Sequence, residues 1–393
     1  MANVSSSNGL EKYPKLRFKG FSEPWHEIAI GDLFKVTRGY VLPSTAVKEE
    51  PQDGFIFPVF SSQTKNEGLM GYYNEYLYED AITWTTDGAN AGTVHFRDGK
   101  FYCTNVCGVL LNEDGNANRC VAEILGSVSK KYVSYVGNPK LMNNVMSEIR
   151  IHIPSLLEQK KIGGFIASLD HRIAKQRELI EHLKKYKRGV IKEFLTPQTC
   201  PIKNAVWSKA TIGELGSFVK GAPLSKADIS DEGTPFILYG ELYTTYGEVI
   251  NKVVRKTQRS VDNVYLSRIG DVLIPTSGET PEEISTASCV MVSDVILAGD
   301  LNIFRTSKVD GRIMSYVLNH IVNSNIARIA QGKSVVHIQA SEISKISISY
   351  PDEITQKQLI AIFDGISNRI NLAEEVLTQM TGLKKSLMQK LFI

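Results

Sequence analysis

Residues 159–194, QKKIGGFIASLDHRIAKQRELIEHLKKYKRGVIKEF, and residues 356–391, QKQLIAIFDGISNRINLAEEVLTQMTGLKKSLMQKL, align without a gap at an offset of 197 positions. In the first stretch Ile162, Ile166, Leu169, Ile173, Ile180, Leu183, Val190 and Phe194 follow alternating steps of three and four, broken only at Gln176 and Lys187. In the second, Leu359, Phe363, Ile366, Ile370, Leu377, Met380, Leu387 and Leu391 take the same places, with Ala373 and Lys384 in the two broken slots. A stripe repeating at 3.5 residues is a coiled-coil seam, too narrow for one helix to bury alone. A rise of roughly 1.5 Å per residue makes each such helix about 60 Å long. One long amphipathic helix commonly just closes a domain, but two matching stripes in one chain predict that they pack on each other. One helix must carry the chain away from a first domain and the other must carry it back, so the pair is expected to run antiparallel.

Working outward, each stripe has the same lead-in. Ser147-Glu148-Ile149 runs through alternating residues to Pro154, and Ser341-Glu342-Ile343 runs through ISKISISY to Pro351, which predicts a strand with a proline stop in each copy. Further upstream, WHEIAIGDLFKVTRG from Trp25 is echoed by WSKATIGELGSFVKG from Trp207. Trp25 with Trp207, Gly31 with Gly213, Leu33 with Leu215 and Arg38-Gly39 with Lys220-Gly221 all share one offset, which marks an internal repeat. Between entry and stop the apolar runs are short, FIFPVF (55–60), AITWTT (81–86) and CGVLL (107–111), and Gly, Asn and Asp turns separate them. That pattern favours strands. Helices are expected in the turn after Trp25, over 118–129 and over 311–329. The fold class is therefore α+β: two β-rich domains separated by two long helices that form an antiparallel coiled coil, a pseudo-twofold dumbbell. The expected boundaries are 1–20 for an N-terminal segment, 21–154 for the first domain, 155–196 for the first helix, 197–351 for the second domain and 352–393 for the second helix.

Length and composition agree with several cores. The chain has 393 residues, 42% hydrophobic and 22% charged, the profile of a globular protein rather than a collagen-like, disordered or membrane one. The start MANVSSSNGLEKYPK lacks the apolar middle of a signal peptide, and five cysteines without a disulfide spacing fit reduced thiols, so a cytoplasmic location is expected. A formal net charge of +3 permits polyanion binding only through local basic patches.

The patterns that would carry catalysis are not met. Gly332-Lys333-Ser334 resembles the end of a phosphate loop, but Ala327 stands where the first glycine is needed. Asn138-Pro139-Lys140 is the nearest approach to an amino-methyltransferase motif and lacks its second proline and aromatic. Pro351-Asp352 is not followed by the acid-x-Lys of a metal-dependent nuclease. His95, Cys103, Cys107 and Cys120 lack the close cysteine pairs of structural zinc sites, and no metal is expected.

What remains is a binding surface of duplicated polar loops. In the first copy SSQTKNEG (61–68) and TTDGANAG (85–92) supply Ser62, Gln63, Thr64, Lys65, Asn66, Thr86, Asp87 and Asn90. Hydroxyls and amides of this kind pair with base edges and phosphates. Arg38, Lys65, Arg97 and Lys140 add candidate phosphate contacts. In the second copy LYGELY (238–243), PTSGET (275–280) and QGKS (331–334) supply Tyr239, Glu241, Tyr243, Ser277, Glu279, Lys333 and Ser334, with Lys220 in the place of Arg38. Each loop alone reads equally well as a solvated turn, and their recurrence in both copies is what points to function.

With the entry WHEIAIGDLFKVTRG, its echo at Trp207, PKLRFKGFSEPW before it, and the helices LLEQKKIGGFIASLDHRI and EITQKQLIAIFDGISNRI in view, the chain from Pro14 to its end resembles the specificity subunit of type I restriction-modification enzymes. The resemblance implies two target recognition domains, each reading one half of a bipartite double-stranded DNA target, with the helices setting the spacing and docking methyltransferase subunits. It also implies that this subunit has no active site. Two modification subunits and ATP-dependent restriction subunits would be its partners, and S-adenosylmethionine, ATP and Mg would be bound by them and not by this chain. The assembled complex would be an adenine-specific methyltransferase and an endonuclease. The alternative is a two-headed coiled-coil scaffold that binds other proteins. In either case Lys187 and Lys384 are expected to reach solvent or to meet acids of a neighbouring chain. If these lysines and Gln176 are slots that specify register, leucines in their place should raise thermal stability.

Overall fold

The computed structural model describes residues 2–3, 13–62, 65–330, 332 and 336–392. Contacts divide the chain into two units, residues 1–177 with 375–393, and residues 178–374, so that the division passes through both long helices. These helices are Leu156–Phe194 and Glu353–Leu391. No helix among the described residues is long and apolar enough to cross a membrane.

The first unit is built on a six-stranded sheet in the order Lys35–Arg38, Cys107–Leu111, Tyr78–Thr85, Val94–Cys103, Phe57–Phe60, Leu69–Tyr73. Its pairs are antiparallel except where Val59 and Phe60 run parallel to Tyr102 and Cys103. A separate ribbon pairs His26–Ala29 with Arg150–Ile153, which brings the entry segment beside the proline stop. Helix Arg119–Val128 begins where the Asn118 side chain accepts from the Val121 N–H. Its apolar face packs with Trp25, Trp84, Leu110 and Met146 in one core that also takes Ile162 and Ile166 from the first long helix, Met388 from the second, and Phe392 just past its end. Low residue numbers of one helix thus meet high numbers of the other, and the two run antiparallel here.

The second unit repeats the plan in two sheets. Five strands lie in the order Gly216–Lys220, Leu301–Thr306, Asp271–Pro275, Ser288–Val290, Val249–Ile250, and three in the order Arg255–Thr257, Thr234–Leu238, Ile296–Ala298. Two pairs here are parallel: Phe236–Leu238 with Ile296–Ala298, which occupies the position of the parallel pair in the first unit, and Val249–Ile250 with Cys289–Val290. The ribbon pairs Trp207–Thr211 with Ser347–Pro351. Val190, Ile191 and Leu195 share a core with Leu359, Ile360 and Phe363, and Lys184 pairs with Glu374 at 2.8 Å, so the helices are antiparallel in this unit as well.

The repeated residues have physical reasons. Gly31 and Gly213 face Ser147 and Ser344, where an added Cβ would lie 3.2 and 3.1 Å from each serine Cβ. Ile30 N–H and Ile212 N–H donate to Ile149 O and Ile346 O in the same way. These contacts correct the alignment of the lead-ins: Ser147 corresponds to Ser344, at the offset of the long helices, and not to Ser341 in the look-alike Ser-Glu-Ile. A Cβ at Gly39 would overlap the carbonyl oxygens of Cys103 and Thr104, and one at Gly221 would lie 2.7 Å from Gly299 O, which is why glycine closes both entry segments. Gln159 and Gln356 each donate from Nε2 to the carbonyl of the stop proline, at 2.9 and 2.8 Å, while each Oε1 accepts from the start of the domain's helix, Asn118 Nδ2 and Asp310 N–H.

The helix expected over 311–329 is two, Gly311–His320 and Asn323–Ile329. The first closes with a wide bond from Val322 N–H to Val317 O, and Asn323-Ser324-Asn325 follows, whose short polar side chains compete with helical bonding. Cys103 and Cys107 face a packed apolar cluster with Ala81, Phe101 and Val109. Burial raises both thiols, Cys107 to about 11, so they stay protonated.

Along the long helices, seam and burial coincide. Ile173, Ile180, Ile370 and Ala373 are buried, and Leu169, Leu183, Ile366, Leu377 and Met380 are half-buried, while the off-seam Leu179, Leu372, Val376 and Leu383 are exposed.

Candidate nucleic-acid interface

In the first domain the two polar loops leave the sheet at one end and are tied together. Asn90 Nδ2 donates to Ser62 O at 3.0 Å, and Thr104 Oγ1 donates to Ser61 Oγ at 3.0 Å. The 61–68 loop turns through Asn66 and Glu67, both at positive φ. Arg97 holds that turn: its Nη2 donates to Glu67 O at 2.8 Å, its Nε to Thr83 Oγ1 at 3.1 Å, and its guanidinium lies 3.7 Å over the Phe60 ring. Arg97 is only 7% exposed, so it corrects the expectation of a phosphate contact: it positions the loop from beneath. Beside it His95 is pushed down to about 4, chiefly by burial and further by Arg97, and is a neutral imidazole in a pocket of about 240 Å³.

The 85–92 loop is fixed by its backbone. Thr86 N–H donates to Val106 O and Thr86 O accepts from Leu141 N–H, both at 2.9 Å. The Thr86 hydroxyl is turned inward to Asp87 Oδ2 and Val106 O. Asp87 faces Lys140 at 3.7 Å. Arg38 is exposed, with Nη2 on Asn105 O at 3.0 Å.

The second domain repeats this geometry. Thr276 N–H donates to Asp300 O at 2.8 Å and Thr276 O accepts from Ile338 N–H at 3.0 Å, so Thr276 is the counterpart of Thr86. Ser277 Oγ donates to Asp300 Oδ2 at 2.6 Å, and Ser277-Gly278 pairs with Val336-His337. Lys220 reaches Asn302 Oδ1 at 2.8 Å. Tyr239, Glu241, Tyr243 and Glu279 line one cavity of about 950 Å³ with Asp300 and Arg255. Glu241 is 8% exposed, and its two oxygens hold Arg255 Nε at 2.9 Å and Leu238 N–H at 3.2 Å, so it shapes the cavity wall. Glu279 is exposed. Of the remaining candidates, Gln63, Thr64, Lys333 and Ser334 lie outside the described residues, and Lys65 lies in the short turn Lys65–Gly68.

Both seam lysines meet acids of this chain, which corrects the expectation of solvent or a neighbouring chain. Lys187 Nζ is 2.9 Å from Glu248 Oε2, whose other oxygen holds His320 Nε2 at 2.8 Å. Against burial, which pushes the Glu248 carboxyl up, His320 and Lys187 hold it down to about 2. Lys384 Nζ is 2.6 Å from Asp170 Oδ1 and 3.6 Å from Glu123 Oε1.

Sequence motifs missed one element of this end of the first domain, the hairpin of residues 134–140. Its Asn-Pro-Lys is meaningful as the partner of the 85–92 loop, with Gly88 N–H on Pro139 O at 2.9 Å, and not as a failed methyltransferase motif. The signal that could have found it is the offset of 197, which places it opposite QGKS.

The family model of the type I restriction modification DNA specificity domain matches the chain twice, over residues 22–185 and 204–381. A Mycoplasma pneumoniae protein described as the N-terminus of a type I specificity subunit is 39% identical over 140 residues, 35% of this chain and 73% of that protein. The MpnII specificity subunit of the same organism is 29% identical over 38% of this chain and 46% of its own, so the chain spans about half the length of some relatives it matches. The MjaVIII specificity subunit of Methanocaldococcus jannaschii is 22% identical over 97% of this chain and 95% of that one. In fold the chain is similar to the crystal structure of a type I restriction-modification S subunit from M. genitalium, with a TM-score of 0.61, 16% identity, and coverage of 97% of this chain and 99% of that one.

Proposed function

The chain belongs to the type I restriction modification DNA specificity domain family and carries that domain twice, and on that premise we propose that each domain reads one half of a bipartite duplex target. The observation that carries this reading is that each family match covers one copy of the repeat, and each copy presents equivalent polar loops on the same backbone bonds at Thr86 and Thr276. Duplication with divergent loops suits two different half-sites. The long helices set the gap between the halves and dock two modification subunits. Chemistry is left to those partners, which would bind S-adenosylmethionine, and to restriction subunits that would use ATP and Mg.

A protein-binding scaffold is disfavoured by two DNA-specificity domains in one chain. The test is selection of duplexes from a random pool by this chain with a modification subunit, at stated salt. A two-part consensus with a constant gap is the expected result. Retention that follows duplex length and ignores sequence would reject the reading.

A further inference from the structure

The hairpin that motifs overlooked is built with unusual care for a surface turn. Ser134 N–H donates to Lys140 O at 2.8 Å, and Lys140 N–H donates to Ser134 O at 2.9 Å. The residues on either side of it, Val133 and Leu141, are buried, and Leu141 O accepts from Trp84 Nε1 at 3.0 Å in the core. The hairpin is fixed to the 85–92 loop by Leu141 N–H on Thr86 O and by the Asp87–Lys140 pair. On the other side of that loop Val133 packs against Gly92, whose φ of +80° and crowded Cβ position leave no room for a side chain. Yet the tip on this rigid base holds Tyr135 at 70% and Val136 at 92% exposure.

One exposed apolar side chain is ordinary on any surface. Here two adjacent ones stand on a braced turn, and the exposed ammonium groups of Lys130, Lys131 and Lys140 flank them in the chain. Ammonium groups suit phosphates, and an apolar tip suits thymine methyls and the faces of bases. Resting on the reading of the domain as a DNA reader, we infer that residues 134–140 form a third reading loop, with Tyr135 and Val136 against the bases of the first half-site. In the second domain the Leu141-to-Thr86 bond is repeated by Ile338 to Thr276 at the offset that relates the long helices.

The full chain with its modification subunit, carrying Tyr135→Ser and Val136→Ser together, tests this. Both side chains are exposed, so its melting should match that of the parent. Affinity for the selected duplex should fall at least about tenfold. The consensus of one half-site should broaden, and the other half should stay as it was. The salt dependence should not change, because no charge is lost, whereas Lys140→Gln should lower its slope by about one. A double variant that selects the parental consensus with parental affinity would remove the hairpin from the interface and leave the specificity-subunit reading standing. Equal loss on all duplexes, or change in both halves, would also overturn it. A parent that selects no duplex at all overturns the reading beneath it, and the hairpin with it.

Discussion

Lys187 and Lys384 occupy matching seam positions, and each ends in a salt bridge within its own unit, to Glu248 and to Asp170. Leucine at 187 would leave the partly buried Glu248 carboxylate with His320 alone, and leucine at 384 would leave Asp170 with Arg119 alone. Lys187→Leu and Lys384→Leu should therefore each destabilise by about 1–3 kcal/mol in urea unfolding, the reverse of what the seam alone suggests. His95 makes a second prediction. Its folded value of about 4 lies below the ordinary 6.5, so its contribution is complete above pH 6.5 and drains as pH falls toward 4. His95→Gln should flatten stability across that window by up to about 3 kcal/mol, read from denaturant midpoints at stepped pH. An unchanged pH profile would mean that the imidazole is hydrated.

The long helices, Leu156–Phe194 and Glu353–Leu391, are the elements on which the proposed spacing of the half-sites depends. Their first turns are domain core, as Ile162 and Leu359 show, and the narrow seam continues through Ile173, Ile180 and Ile370. An insertion of one in-register turn into both helices between these anchors should lengthen the gap of the selected DNA target and leave both half-sites intact. Sequencing of the duplexes bound by parent and variant decides it, and an unchanged gap discards the ruler. The break at residues 321–322 belongs to this scale too. Apolar spacing ran on through the break, and only the competing side chains of Asn323-Ser324-Asn325 marked it.

At the scale of the molecule, each unit carries its own entry segment, sheet core, stop and part of each long helix. Exchange of residues 21–153 for the equivalent domain of a relative should alter one half of the methylated target and spare the other, as methylation mapping would reveal. Changes in both halves from a folded exchange variant would mean that the domains do not read independently.

By itself the sequence determined the repeat, the two long helices, their antiparallel sense and the α+β class, because these rest on local periodicity and on glycines and prolines whose backbone needs are the same in both copies. It also located most of the polar loops. Tertiary structure alone decided which of their side chains face outward. Arg97 and Glu241 look like ligands of DNA in a string of letters, but bonds to Glu67 O, Arg255 and Leu238 N–H turn them inward. Tyr135 and Val136 stand in water because hydrogen bonds of residues far along the chain hold their turn at the surface. The acids that meet the seam lysines were hidden for the same reason: Lys384 and Asp170 lie 214 positions apart, and only the return of the second helix brings them together.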